Sequence, residues 1–473
     1  MFDKNTLRTN HRDLFMAAIA DWRQENLNDA CDDSGAEISH NGGGAVRVYL
    51  RKRPLFEKEE KQRNDYDVVS IIPASPCPSK VVLHNCLFQA DLKTPYLHHL
   101  TFDFDRAFSE HATNEEVYDS IAAELVESSR QGGVSTMFMF GQTGSGKTHT
   151  MNAIQELAAR DLFHGADGEE PWLSVQFVEL RGNRCFDLLA PPSGVEGRKS
   201  FRPEIRLREQ RDGSYFADGA VDVFPKTAEE LCTVMHMAHS RRATSATDAN
   251  STSSRSHAVC TLRLSQSEGQ LMLVDCAGTE WRKDSMFHSK ERQQEGAEIN
   301  ASLYALKECI RHLSTHQRVP SHAYRASSLT KILADAFIRG SRAKLAVVCT
   351  VSPCTTDADH TVGTLRVGTG LAGRDKEHEE KQVLMDYMRK KPRLPHPKQW
   401  SPAQVMEWIA NVHGGQFQFV LESIPSNFTG QMLVRLAEPR CTQICGGDEK
   451  RGRQLFDLLH QEIHRVEASR KNN

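Results

Sequence analysis

The run GQTGSGKT, Gly141 to Thr148, constrains this chain more than any other stretch. It fits G-x-x-x-x-G-K-[ST], a loop that binds phosphate only between a buried strand and a helix start. Both neighbours are present: VSTMFMF before it reads as a buried strand, and THTMNAIQELAAR after it reads as a helix. In that setting Gly141, Gln142, Thr143, Gly144, Ser145 and Gly146 supply successive backbone N–H groups to phosphate oxygens. Lys147 neutralises the terminal phosphates, and the Thr148 hydroxyl reaches a magnesium ion. A chain built around this loop is expected to be α/β.

Two further stretches sharpen the reading. LMLVDCAGTE is an apolar strand ending at Asp275, an acid placed to reach magnesium through water, with Gly278 and Glu280 close behind. NSTSSRSH gathers Asn250, Ser253, Ser254 and Arg255, as a loop closing over phosphate requires. A serine-rich loop alone is usually only a loop, and a lone acid at a strand end is usually solvated. In this order they reinforce one another. The absence of an N-K-x-D-type guanine-reading motif favours ATP over GTP. In LRKRPL, Arg51, Arg53 and Pro54 fall where a strand ends and suit a flat cationic and apolar shelf for a base.

From Val46 onward short β-like runs alternate with helical patterns, the signature of a largely parallel sheet flanked by helices. At 473 residues the chain exceeds what one core usually fills, so further domains are expected. A net charge of -3 gives no global pull toward nucleic acid or an anionic membrane, and no apolar run approaches a membrane span. The twelve cysteines lack zinc-finger spacing and read as reduced thiols; the expected setting is cytosolic or nuclear. Residues 1–45 read as a segment outside the sheet domain. It carries one amphipathic helix, with Leu14, Phe15, Ala18, Ile19 and Trp22 at helical spacing, then a polar glycine-rich linker. Residues 373–397, charged and then proline-rich, read as a second linker, and no heptad pattern for a dimerising coiled coil is visible.

The loop GQTGSGKTHTM, the loop NSTSSRSHAV and the strand LVDCAGTE closely resemble the motor domain of the kinesins. The resemblance runs over about residues 46–372 and includes RKRP, TFDFDRAF, EGAEINASLYAL, YRASSLTKIL and TVGTLRVG. It implies a mostly parallel sheet flanked by helices, ATP and magnesium as ligands, and tubulin as partner. Lys147 would contact the β- and γ-phosphates, Thr148, Ser254 and Asp275 would serve the metal, and Arg255 with Glu280 would form an ion pair enclosing the attacking water. With every one of these positions filled by the expected type, an active ATPase on cytoplasmic microtubules is implied.

Within the family, EGAEINASLYALKECIRHL looks most like the kinesin-13 motors, which remove tubulin from microtubule ends. That likeness assigns tubulin contacts to Lys307, Glu308, Cys309 and Arg311, to Arg325 and Lys331 beyond them, and to Asp91 in the finger segment FQADLKTPYL. Two departures weaken it: Gln89 and Ala90 replace the family's finger residues, and Ser328 stands where a lysine usually faces the microtubule. A sliding or transport motor, or a nucleotide-regulated microtubule scaffold, are the alternatives. Residues 398–468 resemble a SAM domain, a five-helix module, with Trp400, Val405, Trp408, Phe419, Phe428, Gly430, Leu433, Leu436, Gly452, Leu455 and Leu459 at core-like positions. It implies a protein partner or self-association, with no nucleic acid or membrane.

Overall fold

The computed structural model describes residues 4–27, 46–74, 77–164, 172–191, 203–244, 254–279, 290–315, 318–374, 378–385, 387 and 396–471. In chain order the strands are β1 (Val46–Lys52), β2 (Val69–Ile71), β3 (Lys80–Phe88), β4 (Pro95–Asp103), β5 (Arg106–Phe108), β6 (Val134–Phe140) and β7 (Leu173–Arg181). They continue with β8 (Arg184–Asp187), β9 (Glu204–Glu209), β10 (Tyr215–Asp218), β11 (His257–Leu264), β12 (Gly269–Asp275), β13 (Ala343–Val351) and β14 (His378–Val383). The helices used below are α1 (Lys4–Asn10), α2 (Arg12–Leu27), α3 (Glu57–Arg63), α4 (Lys147–Phe163), α5 (Ala228–Thr244), α6 (Lys290–Thr315) and α7 (Ala358–Leu371).

The apolar runs of the sequence lie at the centre of a ten-stranded sheet ordered β10-β9-β8-β7-β11-β12-β6-β13-β1-β5. From β12 to β5 every pairing is parallel, and from β12 outward to β10 every pairing is antiparallel. All of β6 is buried, as a parallel strand covered on both faces by helices must be. Its end, and the ends of its neighbours β12 and β13, therefore carry backbone that packing has already fixed. This is the α/β architecture expected from the sequence.

A second sheet, ordered β14-β4-β3-β2, is antiparallel and carries the N-terminal helices. Phe15, Ala18 and Ile19 of α2 are buried, and the Phe15 ring meets Phe88 edge-on at 5.7 Å. Trp22 stacks on His99 at 5.4 Å and meets His84 at 4.7 Å. The Arg8 side chain is buried and donates to Cys86 O, Asn85 Oδ1 and Asp359 Oδ1 on α7. The helices thus belong to the compact unit Met1–Leu384, which corrects the reading of this amphipathic stretch as lying outside the sheet domain. The helical spacing was visible, but not the sheet that its apolar stripe covers.

The boundary at residue 373 is corrected too. Beyond it, β14 pairs antiparallel with β4, and Leu384 is fully buried with its N–H on Pro95 O at 2.9 Å. The strand HEEKQV has almost no buried side chain, so backbone pairing at a charged edge holds it and no periodicity betrays it.

The second unit, Met385–Asn473, is all helical in its described part. Ser401 and Gln404 form a capping box at the start of its first long helix. Val405, Ile409, Phe417, Val420, Leu433, Ile444, Leu455 and Leu459 make its core, with Trp400, Trp408, Phe428 and Leu436 packed at the margin. Phe419, expected in that core, is instead 37% exposed. The 3-10 turn Gln418–Ser423 carries it outward, where the Arg451 guanidinium stands 5.4 Å from its ring, and Phe417 fills the interior. Gly452 is required by close packing: a Cβ there would stand 2.4 Å from Thr442 Cα.

Candidate functional site

The loop from Gly141 to Gly146 leaves the buried end of β6 and enters α4. Gly141 presses on β13 so closely that a Cβ would stand 2.3 Å from Thr350 O, and Gly146, at φ +102°, takes a turn that favours glycine. Ser145 Oγ donates to Gln142 O at 2.7 Å and shares a 2.7 Å hydrogen bond with Thr350 Oγ1, tying the loop to the sheet. The loop is thus held by β13 before any ligand arrives.

Above it lies a cleft of about 360 Å³, lined by Arg51, Arg53, Pro54, Phe56, residues 143–150 and Ser254. The start of α4 faces this cleft and favours an anion there. Lys147 is 6% exposed, and its Nζ donates to Gly141 O and Gln142 O, each at 2.8 Å. Thr148 Oγ1 donates to Asp275 Oδ2 at 2.8 Å, so the loop and the end of β12 meet through two oxygen groups that suit a hard cation. Asp275 Oδ1 is buried with no hydrogen-bond partner among the described residues, an acceptor that a cation or its water would satisfy.

The two flanking loops converge on the same point. Gly278 N–H donates to Ser254 O at 2.9 Å, and Thr279 N–H donates to Gly141 O at 3.2 Å. Arg255 stands half-buried beside Ser254. Asn250, Ser253 and Glu280 lie outside the described residues. The structure therefore joins Lys147, Thr148, Ser254, Asp275 and Gly278 around one cleft. Arg51 donates to Asn114 Oδ1 and Thr150 Oγ1, and Arg53 donates from Nε to Gly144 O at 2.7 Å and pairs with Glu59 at 2.6 Å.

Sequence reasoning missed Arg242 on α5. Its buried guanidinium donates to Asp275 Oδ2 at 2.5 Å and to Ser256 O at 2.6 Å, joining a helix, a loop and the metal-side acid. Nothing in the doublet Arg241–Arg242 says which arginine turns inward. It also missed His257, whose Nδ1 accepts from Ala277 N–H at 3.1 Å and whose Nε2 bonds Ser302 on α6 at 2.9 Å. Burial, aided by the Arg242 charge, pushes the His257 pKa down to about 3.

A pH dependence follows, and its sign is fixed. Unfolded His257 takes up a proton below about 6.5 while the folded ring stays neutral, so its stabilisation is complete above that pH and is lost as pH falls. At pH 5.5 the loss is about 1.4 kcal/mol for this one group. His239, pushed down to about 4 chiefly by burial, acts in the same direction. Thermal unfolding of the protein is expected to shift to lower temperature between pH 7.5 and 5.5, and His257→Gln to flatten that shift.

The residues assigned to tubulin divide: Asp91, Arg311 and Arg325 are exposed, while Lys307 and Cys309 turn inward. Cys309 is fully buried, so it is a core residue and no contact surface. Lys307 turns inward over the Phe140 ring at 5.2 Å, where burial lowers its pKa. The helix rotation that seats Leu303, Leu306 and Ile310 in the core carries both with it. Glu308 bonds Arg311 at 3.0 Å, and Tyr304 is the large apolar residue this helix exposes, at 65%. Arg325 pairs with Glu209, and Lys331 is half-buried nearby. Ser328, read as the loss of a microtubule-facing lysine, is buried and donates to Asn183 O at 3.0 Å. Asp91 closes the β3–β4 turn, accepting from the N–H groups of Lys93 and Thr94, each at 2.9 Å.

A family model of the kinesin motor domain matches residues 51–371. The chain belongs to the kinesin motor family. It is 38% identical over 363 residues to the diatom spindle kinesin-1 of Cylindrotheca fusiformis, an alignment that covers 74% of this chain and 54% of that protein. The chain thus spans about half the length of that curated relative. Among solved structures it resembles a KIF14 dimer in its two-heads-bound state, with AMP-PNP and in complex with a microtubule (TM-score 0.56, 28% identity, covering 69% of this chain and 93% of that one). A fast kinesin shares the fold at TM-score 0.56 and 24% identity, covering 71% of this chain and 94% of the other.

Proposed function

We propose that this kinesin hydrolyses ATP at the cleft above Gly141–Thr148 and uses the cycle to remove tubulin from microtubule ends. The observation that carries the ATPase reading is the joining of three segments at one point: Thr148 on Asp275, Gly278 on Ser254, and Thr279 on Gly141. In such a site the loop N–H groups and Lys147 hold the β- and γ-phosphates. Arg255 and Glu280 position water for attack on the terminal phosphorus, and catalysis is chiefly positioning plus electrostatics. Magnesium, held by Thr148 and Asp275 with Ser254 beside them, would neutralise charge on the phosphates.

End-specific depolymerisation rests on the likeness of the α6 sequence to kinesin-13 motors and on a β3–β4 hairpin whose turn is braced by Asp91. A second reading, a sliding or transport motor, is favoured by a specific observation: of Lys307, Glu308 and Cys309, none is a fully exposed side chain. For the second unit we propose a SAM-like protein-binding role, supported by its small helical core. Spindle microtubules are the polymer to test first, given the name of the diatom relative. The test is stabilised microtubules with purified protein and ATP, read by sedimentation and filament length. Shortening from the ends supports the depolymerase. Intact filaments that glide, with stimulated turnover, replace it by the sliding motor.

A further inference from the structure

Phe56 lines the mouth of the cleft with a ring that is 52% exposed, an unusual position for a large apolar side chain on the rim of a polar site. It is the N-cap residue of α3, and its own N–H donates to Glu59 Oε2 at 3.0 Å. Glu59 also holds Arg53, whose guanidinium carbon stands 4.5 Å from the Phe56 ring centroid. The guanidinium is further committed within its plane: Nε to Gly144 O at 2.7 Å, Nη1 to Pro54 O at 2.8 Å, and Nη2 to Ser352 Oγ at 3.0 Å. All five Arg53 N–H groups are therefore spent, and the guanidinium carbon lies over the Phe56 ring. A rigid plate results, anchored at one end to the phosphate loop through Gly144 and bearing an aromatic ring at the other.

The polar side chains around this plate are already engaged. Arg51 is on Asn114 and Thr150, and Glu110 is on Lys52 at 3.0 Å. A group entering at this end meets the Phe56 ring and Pro54, with Ala112 also in the lining, surfaces suited to stacking rather than to hydrogen-bond reading of a base edge. The phosphate end, by contrast, is lined by backbone N–H groups and Lys147.

We propose that Phe56 is a base-stacking residue of this kinesin: with Arg53 and Pro54 it holds the nucleobase by its flat face, and it sets the part of nucleotide affinity that depends on the base. The inference deepens the nucleotide reading given above and rests on it. Loss of one base–aromatic stack weakens binding by about 5- to 150-fold. That loss falls only on ligands that possess a base.

The test is equilibrium binding by calorimetry, with magnesium present, of ADP and of ribose 5-diphosphate, which lacks the base. The proteins compared are the parent, Phe56→Ala and Phe56→Tyr. The expected result is that Phe56→Ala weakens ADP by that factor, leaves ribose 5-diphosphate unchanged within about twofold, and is rescued by Phe56→Tyr. Unchanged ADP affinity in Phe56→Ala overturns the proposal. Equal weakening of both ligands also overturns it, because the substitution would then act through Arg53 on the phosphate loop. The exposed ring leaves no buried cavity when removed, so folding is retained. Binding needs neither hydrolysis nor microtubules, so a failure of the motor reading cannot imitate either outcome.

Discussion

Lys147→Ala is expected to lower microtubule-stimulated ATP turnover by about 10²- to 10³-fold, the cost of deleting one preorganised charge from a phosphoryl-transfer site. The structure gives this residue two roles. Its Nζ is buried and fixes the carbonyls of Gly141 and Gln142 at 2.8 Å, and it stands where α4 faces the cleft. Alanine removes the charge that phosphate would meet and takes one donor from each carbonyl; Gln142 O keeps Ser145 Oγ and Gly141 O keeps the Thr279 N–H, so the loop loses only the net worth of those hydrogen bonds, about 1.5–3 kcal/mol for one made by a charged donor. The two effects separate by measurement. Turnover reports the charge, while the thermal midpoint without nucleotide reports the loop. Lys147→Met, which keeps the packing stem, should recover part of the midpoint and none of the turnover. Turnover within tenfold of the parent in either variant would mean that this loop does not hold the reacting phosphates.

The nucleotide loop was legible because its chemistry is local. Glycines at Gly141 and Gly146, a lysine and a threonine at fixed spacing are demanded by backbone geometry that needs no knowledge of the rest of the chain. Asp275 and Ser254 were legible for a weaker reason, since each lies next to or at the end of a strand whose apolar run is visible. Where reading failed, the missing quantity was always which neighbour an element faces. Lys307 and Cys309 sit in a motif that names a surface, yet the rotation that seats Leu303, Leu306 and Ile310 in the core turns them inward. Phe417 and Phe419 are two residues apart with the same side chain, and only the intervening 3-10 turn decides which is buried. The edge strand β14 owes its place to β4 and carries almost no apolar signal of its own. Trp22 and Arg8 displayed their type but not their target, a second sheet assembled from residues far away in sequence. Phe56 belongs with these: a phenylalanine after RKRPL reads as a loop residue until the cleft beside it is seen.

Arg242→Ala is expected to destabilise the motor unit by about 3–5 kcal/mol, the cost of stranding one member of a buried ion pair. Arg242 is 2% exposed and Asp275 1%, and the guanidinium also closes on the Ser256 carbonyl, which loses that donor as well. The carboxylate then keeps Thr148 at Oδ2, while Oδ1 already lacks a partner among the described residues. Asp275→Asn strands the arginine instead and should cost a similar amount. The double variant Arg242→Ala with Asp275→Asn leaves no unpaired buried charge, so it should be more stable than the sum of the two single losses allows, a coupling that additive effects cannot produce. The measurement is the denaturation midpoint of the four proteins without nucleotide. Strict additivity would sink the idea that this pair braces α5 against β12. Magnesium distinguishes the structural role of the acid from its role toward a ligand. The ion should raise the midpoint of the parent in the presence of ADP and leave that of Asp275→Asn nearly unmoved, because the acid that faces Thr148 is the one removed. The same carboxylate thus ties α5 to the sheet and closes the phosphate loop, which is why its loss should damage folding and nucleotide binding together.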